Sequence, residues 1–237
     1  MKLELPLPQP GSAMLAGIAD PAGALASPFV PRLKPVRTER ILRIQGYTDP
    51  SRVRPAIQKA ADWAAQTIAD LATPSVGFKR LGFRCRGGDR IELSDGTVCH
   101  GTALVHELTG CDVVVVFVQT LGDGPDKNVI ELLERGEDLL EALLLETAGW
   151  LALEESIRQF KEQLSADATR RGRRLRKRLG PGYTYKLPGG PVMWPLLDQR
   201  NLFAVFADGE LPVRLLDSCA MQPKLSRSGL FGEGPGL

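Results

Sequence analysis

The chain has 237 residues, of which 43% are hydrophobic and 24% are charged. This length suits one domain of generous size, or a domain with a tail, and excludes a protein with several catalytic modules. The formal net charge is only +2, which excludes a global field that would commit the whole protein to nucleic acid or to an anionic membrane.

Cysteine usage and hydropathy both predict a cytoplasmic protein. The four cysteines form no Cys-x-x-Cys pair, as is typical of reduced thiols rather than a disulfide framework: Cys85, Cys99, Cys111 and Cys219. The longest apolar stretch, at 113–118, is far too short to cross a bilayer, so no membrane segment is expected. Lys2 is followed by Glu4 and several prolines, so a signal peptide is not expected either.

The N-terminal part of the chain predicts an arm, followed by the start of a domain. Residues 1–38 are rich in proline, alanine and glycine and lack a hydrophobic period, which predicts a flexible arm draped over the body or a partner. We expect the folded domain to occupy residues 39–237. It begins with an apolar run that predicts a short strand, formed by Ile41, Leu42 and Ile44.

A helix is predicted next, where Asp49 and Pro50 form the pattern of an N-cap followed by proline at the first helical position. Apolar residues recur at helical spacing from there to Ile68, so this helix should bury one face. Residues 90–99 alternate in hydropathy around an Asp-Gly pair and predict a β-hairpin. Residues 102–108 predict a short helix that a following glycine ends.

The middle of the chain predicts a buried strand and two helices. Residues 112–120 are β-branched and apolar, which indicates a strand buried on both faces. A helix should begin at Pro125 and end near Gly136, and another should cover residues 137–164. Five carboxylates indicate a solvated acidic helix face, with docking of a basic partner as the alternative: Glu131, Glu134, Glu137, Asp138 and Glu141.

The last third of the chain is divided by glycine and proline and predicts small elements. One short helix should follow Asp198, and strands should lie near 212–218 and 225–231. Strands and helices are mixed without regular βαβ alternation, so we expect an α+β fold. The expected architecture is a single domain with a mainly antiparallel twisted sheet, flanking helices and the flexible arm.

The densest charged segment is 170–178, where seven of nine residues are Lys or Arg. Three interpretations are open: a solvated helix end, a surface that binds nucleic acid through its phosphates, or a carboxylate-binding arginine whose neighbours steer an acidic partner. Nucleic acid is the less favoured of these partners, because only 6% of the chain is aromatic and no stacking surface accompanies the run.

A tight turn follows this segment directly. Gly180, Pro181 and Gly182 force an exposed turn whose backbone groups stay outside regular ladders. Arg178 precedes the turn and Tyr183 follows it, a pairing that suits a ligand with a carboxylate and an adenine or sulfonium group.

Further along, Ser226 and Ser228 would share one face of a strand. Three blocks in register resemble the activation domain of cobalamin-dependent methionine synthase. They are the Arg-x-x-Pro-Gly-Tyr turn at 178–183, the segment at 198–203, and the Ser-x-x-Met-x-Pro-x-x-Ser-x-Ser-Gly stretch at 218–229. Weaker resemblance extends upstream to 41–47, to the end of the predicted strand at 119–122, and to the long helix that carries Gly149 and Glu154.

The resemblance implies a function and a binding site. The domain would bind S-adenosylmethionine, with Arg178 on the ligand's carboxylate and with backbone contacts from Gly180 and Tyr183. It would present the methyl group to cobalamin carried by a corrinoid-binding methyltransferase subunit, with an electron from a flavodoxin-like or other donor. No acid–base catalytic residue and no metal ligand are expected, because the role is to bind and to position.

Missing motifs indicate that the chain acts in trans. Neither His100 nor His106 belongs to an Asp-x-His-x-x-Gly cobalamin loop, and paired zinc cysteines are absent from the sequence. The spacing of these histidines with Cys99 and Cys111 fits no standard zinc pattern. The sequence also ends soon after the Ser-Gly pair, so the family's further ligand contacts there have no counterpart.

We therefore expect a free-standing reactivation subunit of a split methionine synthase, non-autonomous as an enzyme. Two alternatives stay open. The first is an accessory factor of another corrinoid-dependent methyltransferase or demethylase system. The second is a nucleic-acid-binding protein that uses the basic run at 170–178.

Overall fold

The computed structural model describes residues 28–136 and 138–236 of the chain. Residues 1–27 of the predicted arm lie outside these ranges. The described remainder of that arm packs on the body, because Phe29 and Val76 exchange backbone hydrogen bonds of 2.9 Å and the Arg32 backbone N–H donates to the Gln159 side chain. Within the described ranges, no helix is both long and apolar enough to cross a membrane.

Six α-helices and two short 3₁₀ turns form the helical part of the described chain. The helices are α1 (Thr38–Ile44), α2 (Pro55–Leu71), α3 (Thr102–Glu107), α4 (Gly124–Arg135), α5 (Leu139–Arg170) and α6 (Gln199–Ala204). The 3₁₀ turns cover Pro50–Arg52 and Leu196–Asp198.

The strands form one large sheet and two small ribbons. They are β1 (Ser75–Gly87), β2 (Arg90–Leu93), β3 (Val98–His100), β4 (Val113–Thr120), β5 (Arg173–Leu179), β6 (Thr184–Leu187), β7 (Gly190–Met193), β8 (Arg214–Leu215), β9 (Met221–Gln222) and β10 (Ser226–Pro235). The large sheet has six strands in the order β3-β2-β1-β4-β10-β5, and all its pairs are antiparallel. The α+β fold with a mainly antiparallel sheet is therefore confirmed.

Strand β4 lies at the centre of the sheet and is buried almost throughout. Thr120 is the register partner of Ser75 in β1 and of Ser226 in β10. At the far edge, β10 pairs with β5, and Phe231 lies opposite Arg178. This pairing brings the C-terminal motif beside the basic run.

The two faces of the sheet are covered differently. The C-terminal half of α5 packs on one face, where Phe160 contacts the rings of Phe78, Phe117 and Phe231. The N-terminal half of α5 packs with α1, α2 and α4 in an adjoining helical core. The opposite face is covered by α3, α6 and the β6–β7 ribbon around the buried Trp194. We call these the helix face and the hairpin face.

Most predicted elements are confirmed, and two predictions near the N-terminus are wrong. Ile41 and Leu42 belong to helix α1 rather than to a strand, since so short an apolar run does not distinguish the two. Helix α2 begins at Pro55 and not after Asp49, because the residue before a proline is held extended, as Arg54 is at φ −63° and ψ 141°.

Two further differences concern the sheet. Strand β1 spans 13 residues and was not predicted, because charged side chains and glycines interrupt its apolar pattern. The basic run is not one helix end: α5 continues to Arg170, a turn follows at 171–172, and residues 173–178 belong to the edge strand β5. The predicted helix end near residue 164 was therefore too early.

Candidate functional site

The basic edge strand places Arg178 on the helix face. Its register partner Phe231 points into the core under α5, so the Arg178 side chain projects to the same side. That side chain is only 26% exposed. Burial lowers the pKa of the guanidinium, and the nearby cation of Arg227 lowers it further. Arg178 is thus a desolvated cation for which an anionic partner would be favourable.

The carboxylate nearest to Arg178 belongs largely to another arginine. Glu154 Oε1 lies 2.6 Å from Arg227 Nη1, whereas Glu154 Oε2 lies 4.0 Å from Arg178 Nη1. Among the residues that the structure describes, no carboxylate lies closer to Arg178. The guanidinium therefore keeps donor capacity that the described residues do not use.

An open cleft of about 570 Å³ begins at this guanidinium. Ile157 of α5 and Phe231 of the sheet form its apolar part, and the rest of its lining is charged: Arg40, Glu154, Glu155, Arg158, Lys161 and Arg178. Both signs of charge are present, which suits a ligand that itself carries both.

The turn after β5 is built around Tyr185. The Gly180 N–H donates to Tyr185 Oη at 2.7 Å, and that hydroxyl donates to the Gly180 carbonyl at 3.1 Å. Burial raises the pKa of the Tyr185 hydroxyl, so it stays protonated and can donate. The Tyr183 N–H also donates to the Gly180 carbonyl, at 3.4 Å. The backbone groups expected to contact a ligand are thus engaged within the turn.

The Tyr183 ring lies at the surface beside that turn. It is 52% exposed, and it covers Gly180 so closely that a Cβ there would lie 3.1 Å from the ring. Gly180 and Tyr183 are not among the residues that line the cleft, whereas Arg178 is. Of the three predicted site residues, the structure brings only Arg178 into the cleft and places the other two at its neighbouring turn.

The second motif block is a structural centre on the hairpin face. The buried carboxylate of Asp198 accepts hydrogen bonds from the Trp194 indole at 2.7 Å and from the Asn201 amide at 2.9 Å. It also accepts from the backbone N–H of His100 in β3. One carboxylate thereby ties β3, β7 and α6 together.

The third block joins this centre to the sheet. The Gln199 amide donates to the Cys219 carbonyl at 2.9 Å, and Ser226 Oγ donates to Thr120 Oγ1 at 2.9 Å. Ser228 Oγ is buried without a hydrogen-bond partner among the described residues. Gly229 permits a close approach of strands, because a Cβ there would lie 2.4 Å from the Leu179 carbonyl oxygen. Its small size therefore sets the position of Arg178, the neighbour of Leu179.

Several cleft residues were not predicted as site residues. The sequence predicted Glu154 only as a residue of the long helix, and it predicted no role for Arg158 or Lys161. A signal was present, because 154, 158 and 161 follow helical spacing and place charges on one side of a largely apolar helix. Arg227 lies between the two serines of the motif and was not predicted as a site residue either.

Known structures support this architecture. A solved structure described as the MetH reactivation domain bound to AdoHcy aligns with a TM-score of 0.54 and 16% sequence identity, covering 82% of this chain and 67% of that chain. The chain has an activation-domain-like fold. No protein-family profile and no curated protein sequence matches it. The expected resemblance is therefore confirmed for the fold.

The activation-domain-like fold explains how distant motif blocks come together. Strands β5 and β10 are neighbours in the sheet, so Arg178 and Arg227 meet although 49 positions separate their numbers in the chain. Helix α5, which packs on this face of the sheet, places Glu154 beside these two arginines. Within the described ranges, no group of three or more His, Cys, Asp or Glu side chains is arranged to hold a metal ion.

Proposed function

We propose that this protein binds S-adenosylmethionine in the Arg178 cleft and serves as a free-standing reactivation subunit for a cobalamin-carrying methionine synthase. The observation that carries the proposal is the partly buried Arg178 guanidinium, which lines an open cleft and keeps donors that the described residues do not use, in an activation-domain-like fold. A planar guanidinium of this kind favours a carboxylate, which it can bind through two parallel hydrogen bonds.

The charges of the cleft match the charges of this ligand. The amino-acid end of S-adenosylmethionine carries a carboxylate and an ammonium group, and its sulfonium is a second cation. Arg178 supplies the cation for the carboxylate, and Glu154, half-exposed beside it, supplies an anion for the ammonium or sulfonium. Opposite charges held 4.0 Å apart therefore orient the ligand as well as bind it.

In this proposal the protein positions the reacting groups and performs no proton transfer. The bound ligand supplies a methyl group, and the cobalamin that accepts it is carried by a corrinoid-binding methyltransferase subunit. A flavodoxin-like or other donor supplies the electron that reductive methylation requires. Arg178 and Glu154 would hold the ligand by its charged groups and so fix its position in the cleft.

The first alternative is that the protein serves another corrinoid-dependent methyltransferase or demethylase. The binding cleft would then be the same, and only the partner protein would differ. The second alternative, nucleic-acid binding, is less favoured because cations of the basic run are already paired with carboxylates. Arg171 and Arg173 pair with the buried Glu233, and Lys177 pairs with Glu107 at 2.8 Å. Phosphates would have to compete with these carboxylates for the same cations.

Titration calorimetry with S-adenosylmethionine tests the proposal. We expect measurable binding to the wild-type protein and a loss of about 1.5–3 kcal/mol in Arg178→Ala, the usual range for a hydrogen bond to a charged group. Arg174→Ala is the matched control, since Arg174 is an exposed residue of the same strand and does not line the cleft. Its affinity should equal that of the wild type.

Decarboxylated S-adenosylmethionine separates the carboxylate contact from other effects. Because this compound lacks the group that Arg178 would bind, wild type and Arg178→Ala should bind it equally. An equal loss for both ligands would show that Arg178 acts by shaping the cleft. Normal S-adenosylmethionine binding by Arg178→Ala would remove Arg178 from the site, and no binding to the wild type would overturn the proposed function.

A further inference from the structure

The helical hairpin of α4 and α5 exposes large apolar side chains. In α4, Ile130 is 55% exposed and Leu133 is 51% exposed. In α5, Leu139 is 59% exposed, Leu143 is 50% exposed and Trp150 is 38% exposed. Single exposed apolar residues are common on proteins, but a contiguous group of them marks an interaction surface.

Lys224 shows that these residues form one surface. Its backbone N–H donates to Asp126 in α4, and its Nζ forms an ion pair with Glu146 in α5. Ile130 and Leu133 follow Asp126 by four and seven residues, so they lie on the same side of α4.

The same spacing holds on the second helix. Leu143 and Leu139 precede Glu146 by three and seven residues, and Trp150 follows it by four. The exposed apolar residues of both helices thus lie on the side of the α4–α5 helical hairpin that Lys224 contacts. We call the five side chains the apolar patch: Ile130, Leu133, Leu139, Leu143 and Trp150.

The apolar patch leads directly to the ligand cleft. Trp150 and Glu154 are four residues apart on α5, so they are neighbours on one side of the helix. Glu154 is itself a wall of the cleft. A protein seated on the patch would therefore reach the edge of the cleft at Glu154.

The charges around the patch indicate what kind of protein could occupy it. Glu131 and Glu134 are exposed on α4, and Asp138 and Glu141 are partly exposed at the start of α5. The basic residues of α4 are fewer, and Lys127 is held by Asp123 at 2.5 Å. The rim of the patch is therefore acidic.

An acidic rim disfavours a second copy of this chain. A symmetric dimer on this patch would bring like charges together, which costs free energy. It favours a different protein whose docking surface has an apolar centre and a basic rim. Such an arrangement matches the usual anatomy of an interface, in which apolar side chains form the centre and charges surround it.

We infer that the apolar patch is the docking surface for the corrinoid-binding methyltransferase subunit, through an apolar contact area on that subunit ringed by basic residues. This inference rests on the proposed function, because it identifies the patch's occupant with the protein that receives the methyl group. It adds where that protein docks and which charges it presents.

Binding of the purified, cobalamin-loaded methyltransferase subunit from the same organism tests the inference. The probe variant is Leu139→Gln/Leu143→Gln in the full chain, which keeps charge and helix propensity. We expect at least about tenfold weaker binding, the scale of central interface residues. Met193→Gln is the control, since Met193 is 58% exposed on the hairpin face and should bind as the wild type does.

A second variant tests the rim by charge. Glu131→Lys/Glu134→Lys should weaken binding and reduce its dependence on salt, because it replaces attraction to a basic rim by repulsion. Thermal melting of each variant shows whether it is folded, and both should keep the wild-type affinity for S-adenosylmethionine because neither touches the cleft.

The outcomes separate the inference from the function on which it rests. If the wild type binds S-adenosylmethionine and the methyltransferase subunit, but the leucine variant binds that subunit equally well, the docking surface is wrong. If the wild type sediments as a dimer that the leucine variant dissociates, the occupant is a second copy and the inference is overturned. Failure to bind S-adenosylmethionine, with docking intact, overturns the proposed function alone.

Discussion

The hairpin face and the helix face of the sheet differ in whether their principal charged group finds partners within the protein. On the hairpin face, the buried Asp198 receives hydrogen bonds from three neighbouring segments. On the helix face, Arg178 has no described carboxylate closer than 4.0 Å and lines an open cleft. A buried polar group that the protein satisfies stabilises the fold, whereas a partly buried cation with unused donors favours an anionic ligand.

The same difference separates the three blocks of the motif that resembles the methionine synthase activation domain. Residues of its second and third blocks, such as Asp198, Gln199 and Ser226, bind other parts of the protein. The first block places Arg178 at the cleft. A shared motif can thus report a shared fold at most of its positions and line a cleft at only a few.

Substitution of Asp198 should have the largest effect on stability. Asp198→Ala leaves the buried Trp194 indole and the His100 N–H without their acceptor, so we expect a loss of about 3–5 kcal/mol in the free energy of unfolding. Urea unfolding followed by Trp fluorescence measures it. Asp217→Ala, a change at an exposed aspartate of the same region, should be neutral. Wild-type stability in Asp198→Ala would show that the centre on the hairpin face is dispensable.

Gly229→Ala should have an intermediate effect and should link the two faces. The new Cβ would meet the Leu179 carbonyl oxygen at 2.4 Å, so β5 must move away from β10. We expect a loss of about 1–3 kcal/mol in stability, as for other overpacked sites. Because Arg178 is next to Leu179, affinity for S-adenosylmethionine should fall as well. Reduced stability with unchanged affinity would mean that the cleft tolerates a shift of β5.

The ion pair of Lys79 and Asp208 should have a smaller effect that depends on pH. Lys79 is 5% exposed, and its Nζ lies 2.6 Å from the Asp208 carboxylate. The hydrogen bond from Lys79 lowers the pKa of Asp208 below its ordinary value of 3.8. A lowered pKa means that the stabilisation is complete above pH 3.8 and is lost as the pH falls through the lowered value.

Urea midpoints of the wild type and Asp208→Asn, measured from pH 7 to pH 2, check this dependence. The wild type should have the slightly higher midpoint at neutral pH, and the difference should shrink in acid. A difference that stays constant over the whole range would show that the charge of Asp208 contributes nothing. Asp217→Asn serves as the comparison for a nearby exposed aspartate.

Arg178→Ala should have the smallest effect on stability, although it should have the largest effect on ligand affinity. Removal of a partly buried cation that Arg227 repels costs the folded state little, so we expect stability within about 0.5 kcal/mol of the wild type. Thermal unfolding without ligand measures it. A large loss would place Arg178 with the structural residues of the hairpin face and remove the contrast between the faces.

Strands β4 and β1 show why some of the fold was predictable and some was not. Strand β4 is an apolar β-branched segment, so local composition predicts it. Strand β1 carries Lys79 and Arg80, which local composition assigns to solvent. In the folded protein Lys79 is buried and meets Asp208, and the Arg80 side chain, only 10% exposed, meets Asp167 at 2.8 Å.

The partners of these buried cations are distant in the chain. Asp208 is 129 residues from Lys79, and Asp167 is 87 residues from Arg80. The basic run follows the same rule, since the fully buried Glu233 accepts from Arg171 at 2.8 Å and from Arg173 at 2.6 Å. No pattern within a window of sequence contains both members of such a pair.

The sequence by itself determined the elements whose signals are local: the hairpin around Asp95 and Gly96, strand β4, helix α4 and the helical course of α5. It also predicted Arg178 as a site residue, because a motif in register preserves order along the chain. Only the tertiary structure decided that Glu154 and Arg227 stand beside Arg178 and which charges are used internally. The physical reason is that hydrophobic period and turn geometry act between near neighbours, whereas charge pairing and desolvation depend on residues that only folding brings together.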